Sequence, residues 1–403
     1  MYLLAWIKEK IKIFTLNMSK KARNILIIIL VFLFFLLVYN YFVKKDMSDF
    51  GVCYQGGERI LKGETLYQVS DGHLQYKYSP VSAVFFSLFV LFPYELAKVI
   101  WYFLELYFLF MALAISYNIL PLKLKKKGSV LVLSFLVLAK FIGREIELGQ
   151  VNIFITFILI MMLKALLEEK DIKAGLFWGF SLFFKPYALV FLPYFILKKR
   201  LKLVGSGFGV IFLGIIFPVF FYGLKQNMVV LKEWYTTLSQ STPQLLAQYD
   251  NASIHAFFLK NLPADNGNLV LIFILCAVFL IGFSFLWMMY LGNRENSLKP
   301  EVLESSFLFI LIPLISPLAW NYNYLYSLLA VVFLLNFIGR FPKIHRYIII
   351  SNMIIIVGSL QEILGKVSFH FYTQHSLVVI SYLIILFYLF YARVKIRSDL
   401  KNF

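Results

Sequence analysis

Long apolar runs separated by short polar segments dominate the chain. The first covers residues 24–43. Others follow at about 80–92, 97–118, 128–142, 150–167, 172–197, 203–224, 269–291, 305–318, 320–338, 345–363 and 376–394. Most approach the roughly 20 residues a helix needs to cross bilayer hydrocarbon. The pattern predicts an all-α polytopic membrane protein with about 12 transmembrane helices. Two polar stretches are much longer than the rest and read as long extracytoplasmic loops, 44–79 and 225–268. Residues 50–62 of the first suggest a short interfacial helix, with Gly63 as its C-cap. Residues 1–403 read as a single integral membrane domain with a basic head (1–23) and tail (393–403). No internal or inverted repeat and no low-complexity linker is visible.

Composition narrows the class. Hydrophobic residues make up 61% and charged residues 15%, against roughly 45–50% and 25% in soluble domains. Mean hydropathy is +0.79. A soluble enzyme, a disordered chain and a nucleic-acid binder are excluded. The formal charge of +18 is then best read through the enrichment of Lys and Arg on cytoplasmic loops. The head carries six Lys/Arg and one Glu. It has no small-residue cleavage site, so it predicts an uncleaved cytoplasmic anchor. Segment 198–202 has four cations and no acid, and 340–346 has three and none. Both long loops are balanced. Both termini are therefore expected in the cytoplasm, with the chain integral to the cytoplasmic membrane. Cys53 sits in a loop and Cys276 in an apolar run, a poor disulfide pair. No Cys/His metal cluster and no nucleotide-binding loop appears. No cofactor is expected, although a divalent cation near Asp46, Asp49 and Glu58 stays open.

One segment resists this topology. Lys123, Lys125, Lys126 and Lys127 fall outside when twelve helices alternate, where they would meet anionic lipid phosphates. The competing arrangement has 80–118 crossing once and Lys185-Pro186 splitting a later helix into a re-entrant pair. The outside patch is the expectation carried forward.

Candidate chemistry lies at the membrane boundary. Asp49 follows the first span and reads either as a base or as a helix cap beside Ser48. Arg144, Glu147, Gln150 and Asn152 lie between two spans, where charge is costly. The alternative is a solvated Arg144–Glu147 pair. Lys185 stands mid-span before Pro186 and calls for an anion, a cavity or a route to the interface. Asn251 and Ser253 read as sugar-holding groups or as an Asx-type cap. Trp320, Asn321 and Asn323 offer stacking and hydrogen bonds to a sugar. His370 and His375 read as wet loop residues.

The order of these pieces resembles glycosyltransferase family 87. Asp49-Phe50, Tyr54, Gly63, Leu66-Tyr67 and Tyr78-Ser79-Pro80 look like that family's opening. Gly149-Gln150-Val151-Asn152 looks like its GQxN. Ala174-Gly175…Gly179…Lys185-Pro186 looks like AGxxxG…KP, Asn251-Ala252-Ser253 like its N-x-S loop, and Ser316-Pro317…Trp320 like SPxxW. The match spans about 45–325. The chain departs from the family after Trp320, where acidic and His residues are common. The resemblance implies a GT-C fold and a polyprenyl-phosphate-sugar donor. It also implies a lipid or glycan acceptor, surrounding membrane lipids, mannose as the foremost hexose and an extracytoplasmic active site. It implies Asp49 as base. On that footing Lys185 and Arg144 are expected to hold the donor phosphate. Tyr78, Glu147, Gln150, Asn152, Asn251, Ser253, Trp320, Asn321 and Asn323 are expected to shape the sugar and acceptor pocket. The rival class is a flippase or transporter of a lipid-linked sugar.

Overall fold

The computed structural model describes residues 20–263, 267–294 and 299–395. The head up to residue 19 and the tail beyond residue 395 lie outside them. The chain divides into a unit up to Met47 and a unit from Ser48 onward. In the first, helix α1 (Lys20–Val38) widens into a π-helical turn at Tyr39–Val43, where the Asn40 amide donates to Leu36 O (3.1 Å).

The second unit is helical, and among its described residues the only extended pairing is the isolated bridge Asn251–Trp320. It begins with α2 (Ser48–Leu61), a short helix α3 (Pro80–Ser87), α4 (Tyr94–Ile119), α5 (Lys127–Leu148) and α6 (Asn152–Leu167). Then come α7 (Asp171–Ser181), α8 (Leu192–Leu197), α9 (Leu201–Ile216), α10 (Val219–Leu245) and α11 (Ile254–Asn261). It closes with α12 (Gly267–Arg294), α13 (Pro300–Ile315), α14 (Leu328–Phe337), α15 (Lys343–Gly358), α16 (Gln361–Gln374) and α17 (Val378–Lys395). By length and composition, four described stretches are apolar enough to cross a membrane: α4, α12, Asn321–Arg340 and α17. The number rises to seven if α5+α6, α9+α10 and α15+α16 each count as one bent span. The protein is an integral membrane protein.

Local sequence accounts for the turns that matter. Gly149 takes a left-handed conformation (φ 66°), and Gln150 N–H returns to Glu145 O (3.0 Å), which closes α5 in a Schellman motif. The chain then bends by 118° into α6, with Gln150 at the corner. Gly63 (φ 69°) closes α2 the same way, with Glu64 N–H on Arg59 O (2.9 Å). Ser79 caps α3 and Pro80 occupies its first turn.

Twelve separate crossings are not what these contacts describe. The apolar run 80–92 is the short helix α3 and a 3-10 turn, packed on α2 by a close approach. A Cβ on Gly57 would stand 2.8 Å from the Phe86 backbone. Of residues 80–118, only α4 is then long and apolar enough to cross a membrane. The run 172–197 is split. Lys185 is extended (φ −147°, ψ 127°), as a residue before proline prefers, and Pro186 restarts the chain in a 3-10 turn. Both ends of this re-entrant pair return to one side, where Arg200 reaches Asp171 (3.4 Å). The Trp178 indole donates to Ala188 O (2.8 Å) and ties the arms together. The glycines of α7 serve packing: a Cβ on Gly175 would lie 2.2 Å from Leu203 O, and one on Gly179 2.5 Å from Gly207 O. Small residues let helix backbones approach in this way.

The same geometry places the basic loop. Asn336, buried near the end of α14, accepts from Leu124 N–H (3.0 Å) and Lys125 N–H (3.2 Å) and donates to Leu122 O (2.8 Å). Residues 122–125 therefore share an end with 336–346, away from Gln150. On that end Glu304, 0% exposed, meets Lys198 (2.9 Å), Arg393 (3.9 Å) and the Tyr194 hydroxyl (2.9 Å), locking α8, α13 and α17 together. The patch does not face the same side as the site residues. An alternating count that gives α3 a crossing and takes 172–197 as one span does not produce this arrangement.

Candidate active site

At the opposite end, the corner between α5 and α6 meets the tip of the re-entrant pair and the start of α2. Asp49 lies in the first turn of α2, where the helix N-terminus favours a carboxylate. Gln150 donates its amide N–H to the Asp49 Oδ2, and its Oε1 accepts from Lys185 Nζ (3.2 Å) and Tyr78 OH (3.3 Å). One amide thus holds a carboxylate on one side and an ammonium on the other.

A second layer lies behind. Asn152 accepts from Lys185 Nζ (2.9 Å) and Tyr326 OH (2.9 Å) at Oδ1. Its Nδ2 donates to Glu145 Oε1 (2.5 Å) and Asn323 Oδ1 (3.3 Å). Asn152 and Glu145 are fully buried and Asn323 nearly so. The Trp101 indole on Gly149 O (3.1 Å) and Ser79 Oγ on Phe183 O (2.6 Å) fix the two tips.

These groups border a cavity of about 1050 Å³ lined by Asp49, Tyr78, Gln150, Lys185, Trp320 and Tyr322 among others. One wall is apolar and comes from the re-entrant tip and α13: Phe184, Leu189, Val190, Leu311, Ile312 and Ile315. Another comes from the first long loop, with Gln75 and Lys77, from α10, with Ser241, Thr242 and Gln244, and from Gln248 just beyond α10. These two pieces are joined by Trp234 on Lys77 O (3.1 Å), Thr65 on Glu233 (2.8 Å) and Tyr222 on Glu64 O (2.9 Å). Arg59 braces the loop from below. Its two N–H groups meet Asp71 at 2.5 and 2.8 Å and hold that carboxyl below the usual aspartate pKa.

The sequence-derived candidates separate by position. Asp49, Tyr78, Gln150, Lys185 and Trp320 line the cavity, and Asn152 and Asn323 stand behind them. Arg144 and Glu147 do not: they form an exposed ion pair (2.8 Å; side chains 48% and 43% exposed). Asn251 and Ser253 are buried in loop structure. Asn251 donates to Pro317 O (2.9 Å) and accepts from Ala319 N–H (3.1 Å), while Ser253 caps α11 through Ala256 N–H (3.0 Å). Their position explains the shape of the 316–320 loop rather than direct contact with the cavity. Asn321 is half-buried and is not among the lining residues.

Glu145, not Glu147, joins this network, and the sequence carries a signal for it. Leu138, Phe141, Ile142 and Glu145 fall at i, i+3, i+4 and i+7 on one buried face of α5. Glu147 is two residues on and points elsewhere. Tyr322, Lys77 and the α10 wall carried no comparable signal.

Comparison with curated proteins and with solved structures finds no match. Residues 76–317, more than half of the chain, match the family described as glycosyltransferase family 87. That stretch contains the GQxN corner, the re-entrant Lys185-Pro186 tip and α10, and the chain belongs to glycosyltransferase family 87, a membrane glycosyltransferase.

Proposed function

We propose that the protein transfers a hexosyl group, mannose foremost, from a polyprenyl-phosphate-linked donor to a lipid or glycan acceptor, with inversion. The observation that carries this reading is Gln150, whose one amide binds Asp49 and Lys185 inside a cavity with an apolar wall. Asp49 takes the proton of the acceptor hydroxyl. The hydroxyl oxygen forms a bond to the anomeric carbon as the bond from that carbon to the phosphate oxygen breaks. Polyprenyl phosphate leaves, and Lys185 stabilises its charge by a charge-assisted hydrogen bond. A phosphate leaving group needs no second carboxylic acid. Tyr78, Trp320 and Tyr322 stack against the sugar, and the isoprenoid chain follows the apolar wall. Arg144 and Glu147, in their exposed pair, are given no role.

The GT-C architecture implied by the resemblance supports an extracytoplasmic site, and charge agrees. The end away from the cavity gathers Lys123, Lys125–127, Lys198–Arg200, Arg340, Lys343 and Arg346, as cytoplasmic loops do.

The test uses purified protein in lipid with labelled polyprenyl-phosphate-mannose, and separately the glucose and arabinofuranose donors, with membrane glycolipids as acceptors. A new glycolipid from the wild type, reduced at least about 100-fold in Asp49→Asn, is expected. Transfer at a near-normal rate by Asp49→Asn sinks the base assignment. Lipid flipping without product from any donor moves the reading to a transporter.

A further inference from the structure

The mechanism uses one cation of the cavity, Lys185, and leaves a second, Lys77. Lys77 is half-buried in the polar wall. Its backbone is rigidly presented. Lys77 O accepts from the Trp234 indole (3.1 Å), the hydroxyls of Tyr76 and Ser82 share a 2.5 Å hydrogen bond before it, and Tyr78 reaches Gln150 (3.3 Å) after it. Yet among the described residues its ammonium has no hydrogen bond and no ion pair. Other partly buried cations on this end are tied down. Lys185 is held by Gln150 and Asn152, Arg59 by Asp71, and Lys260 by Tyr249 O (2.9 Å), Asn251 O (2.7 Å) and Ser376 Oγ (3.1 Å).

A desolvated ammonium without a partner is costly. Burial pushes the Lys77 pKa below its usual value, and the nearby charge of Asp49 acts in the other direction. Asp49 is also the only carboxylate among the cavity-lining residues. Neutral hydrogen-bonding side chains from α10 (Ser241, Thr242 and Gln244) and Gln248 in the loop just after it complete this wall. The apolar wall belongs to the re-entrant tip and α13, on the Lys185 side of the network, so an anion at Lys77 need not be the donor's phosphate.

We propose that Lys77 is a specificity-determining residue that binds an anionic group, a phosphate ester or a carboxylate, on the acceptor glycan. The inference rests on the glycosyl-transfer reading and deepens it by naming the acceptor class: an acidic rather than a neutral glycan. With the anion on Lys77, a hydroxyl of the same acceptor lies in reach of Asp49, and the polar wall hydrogen-bonds the remaining hydroxyls.

The test is equilibrium binding to the full chain in phosphatidylcholine nanodiscs, with empty nanodiscs as the control. The probes are radiolabelled octyl α-mannoside and its 6-phosphate. The wild type should bind the phosphate probe about tenfold more tightly than the neutral one, a difference of about 1.4 kcal/mol. Lys77→Gln should erase that preference and leave neutral binding unchanged, and Lys77→Arg should retain it. Lys185→Gln should also retain it, since the donor's phosphate and the acceptor's anion occupy different cations. Equal affinities in the wild type, no binding of the phosphate probe, a preference that survives Lys77→Gln, or one lost only in Lys185→Gln each overturns the proposal. Transfer is assayed in parallel. A preference that depends on Lys77 in a protein that transfers no sugar would reject the transferase mechanism and leave the anion site standing.

Discussion

At the scale of single residues, the second layer behind Lys185 explains how a partly buried ammonium is aimed. Asn152 can present either its oxygen or its NH2 to Lys185, and only the oxygen is attractive. Glu145, by accepting from Asn152 Nδ2 at 2.5 Å, holds the amide in that orientation. Glu145 is therefore a positioning residue under the proposed mechanism. Glu145→Ala frees the amide to turn its NH2 toward the ammonium. The loss of one charge-assisted hydrogen bond, about 1.5–3 kcal/mol, predicts a fall of about 10–100-fold in kcat/KM for the donor, with acceptor KM nearly unchanged. Glu145→Gln keeps an acceptor oxygen and should recover most of that loss. Equal damage from Gln and Ala would show that charge, not amide orientation, is what Glu145 supplies. Asp49 and Lys185 were legible as chemistry because isolated charges at a membrane boundary are unusual. Glu145 was harder to see because Glu147, two positions later, is the same residue type on a solvated face.

At the scale of elements, the first long loop carries part of the cavity wall. Its own packing braces it: Ile60, Leu66, Tyr67, Tyr76 and Ala83 bury together with Val230 of α10. The Arg59–Asp71 pair closes the loop under this cluster. Because Arg59 lowers the Asp71 pKa in the folded state, the unfolded chain binds more protons between the lowered value and about 3.9, and stability rises with pH across that window. The contribution is complete above about pH 5 and is lost as pH falls through the lowered folded value. Thermal unfolding in nanodiscs should show Asp71→Asn melting a few degrees below the wild type at pH 7. The gap should narrow below about pH 4 and close as pH falls through the lowered folded value. A gap of constant size from pH 7 down to pH 3 would remove the ion pair as its cause. The end of α2 at Gly63 was readable from one glycine. The length of α10 was not, because a bend of 89° after α9 carries it off the hydrophobic period and onto the loop.

For the whole molecule, the question is which surface faces which compartment. The structure separates two ends, one with the cavity and one with the basic loops, and Asn336 joins the Lys123–Lys127 segment to the second. In a background with Cys53 and Cys276 replaced by Ala, Gln248→Cys beside the cavity should react with a membrane-impermeant maleimide on intact cells. Lys125→Cys should react only after permeabilisation. Labelling of both from outside would return the basic loop to the outer face and undo the proposed orientation. Hydropathy alone does not fix the topology here, because a short apolar helix and a re-entrant pair have the same hydropathy as two crossings. Length and polarity cannot separate an apolar segment that turns back from one that passes through.

The sequence by itself determined that this chain is an all-helical membrane protein, since 61% hydrophobic residues in long runs have no other stable home. It also determined where the helices break, because Gly149, Gly63 and Lys185-Pro186 act through local backbone preferences. Only the tertiary structure decided which breaks meet. Gln150, Asp49 and Lys185 are separated by 101 and 35 positions in the chain and come together because α2, the α5–α6 corner and the re-entrant tip converge. The same convergence left Arg144 and Glu147 on the outside and brought in Glu145 and Lys77. Hydrophobic period reports how much of a helix is buried, and the partner against which it is buried is a property of the packed whole.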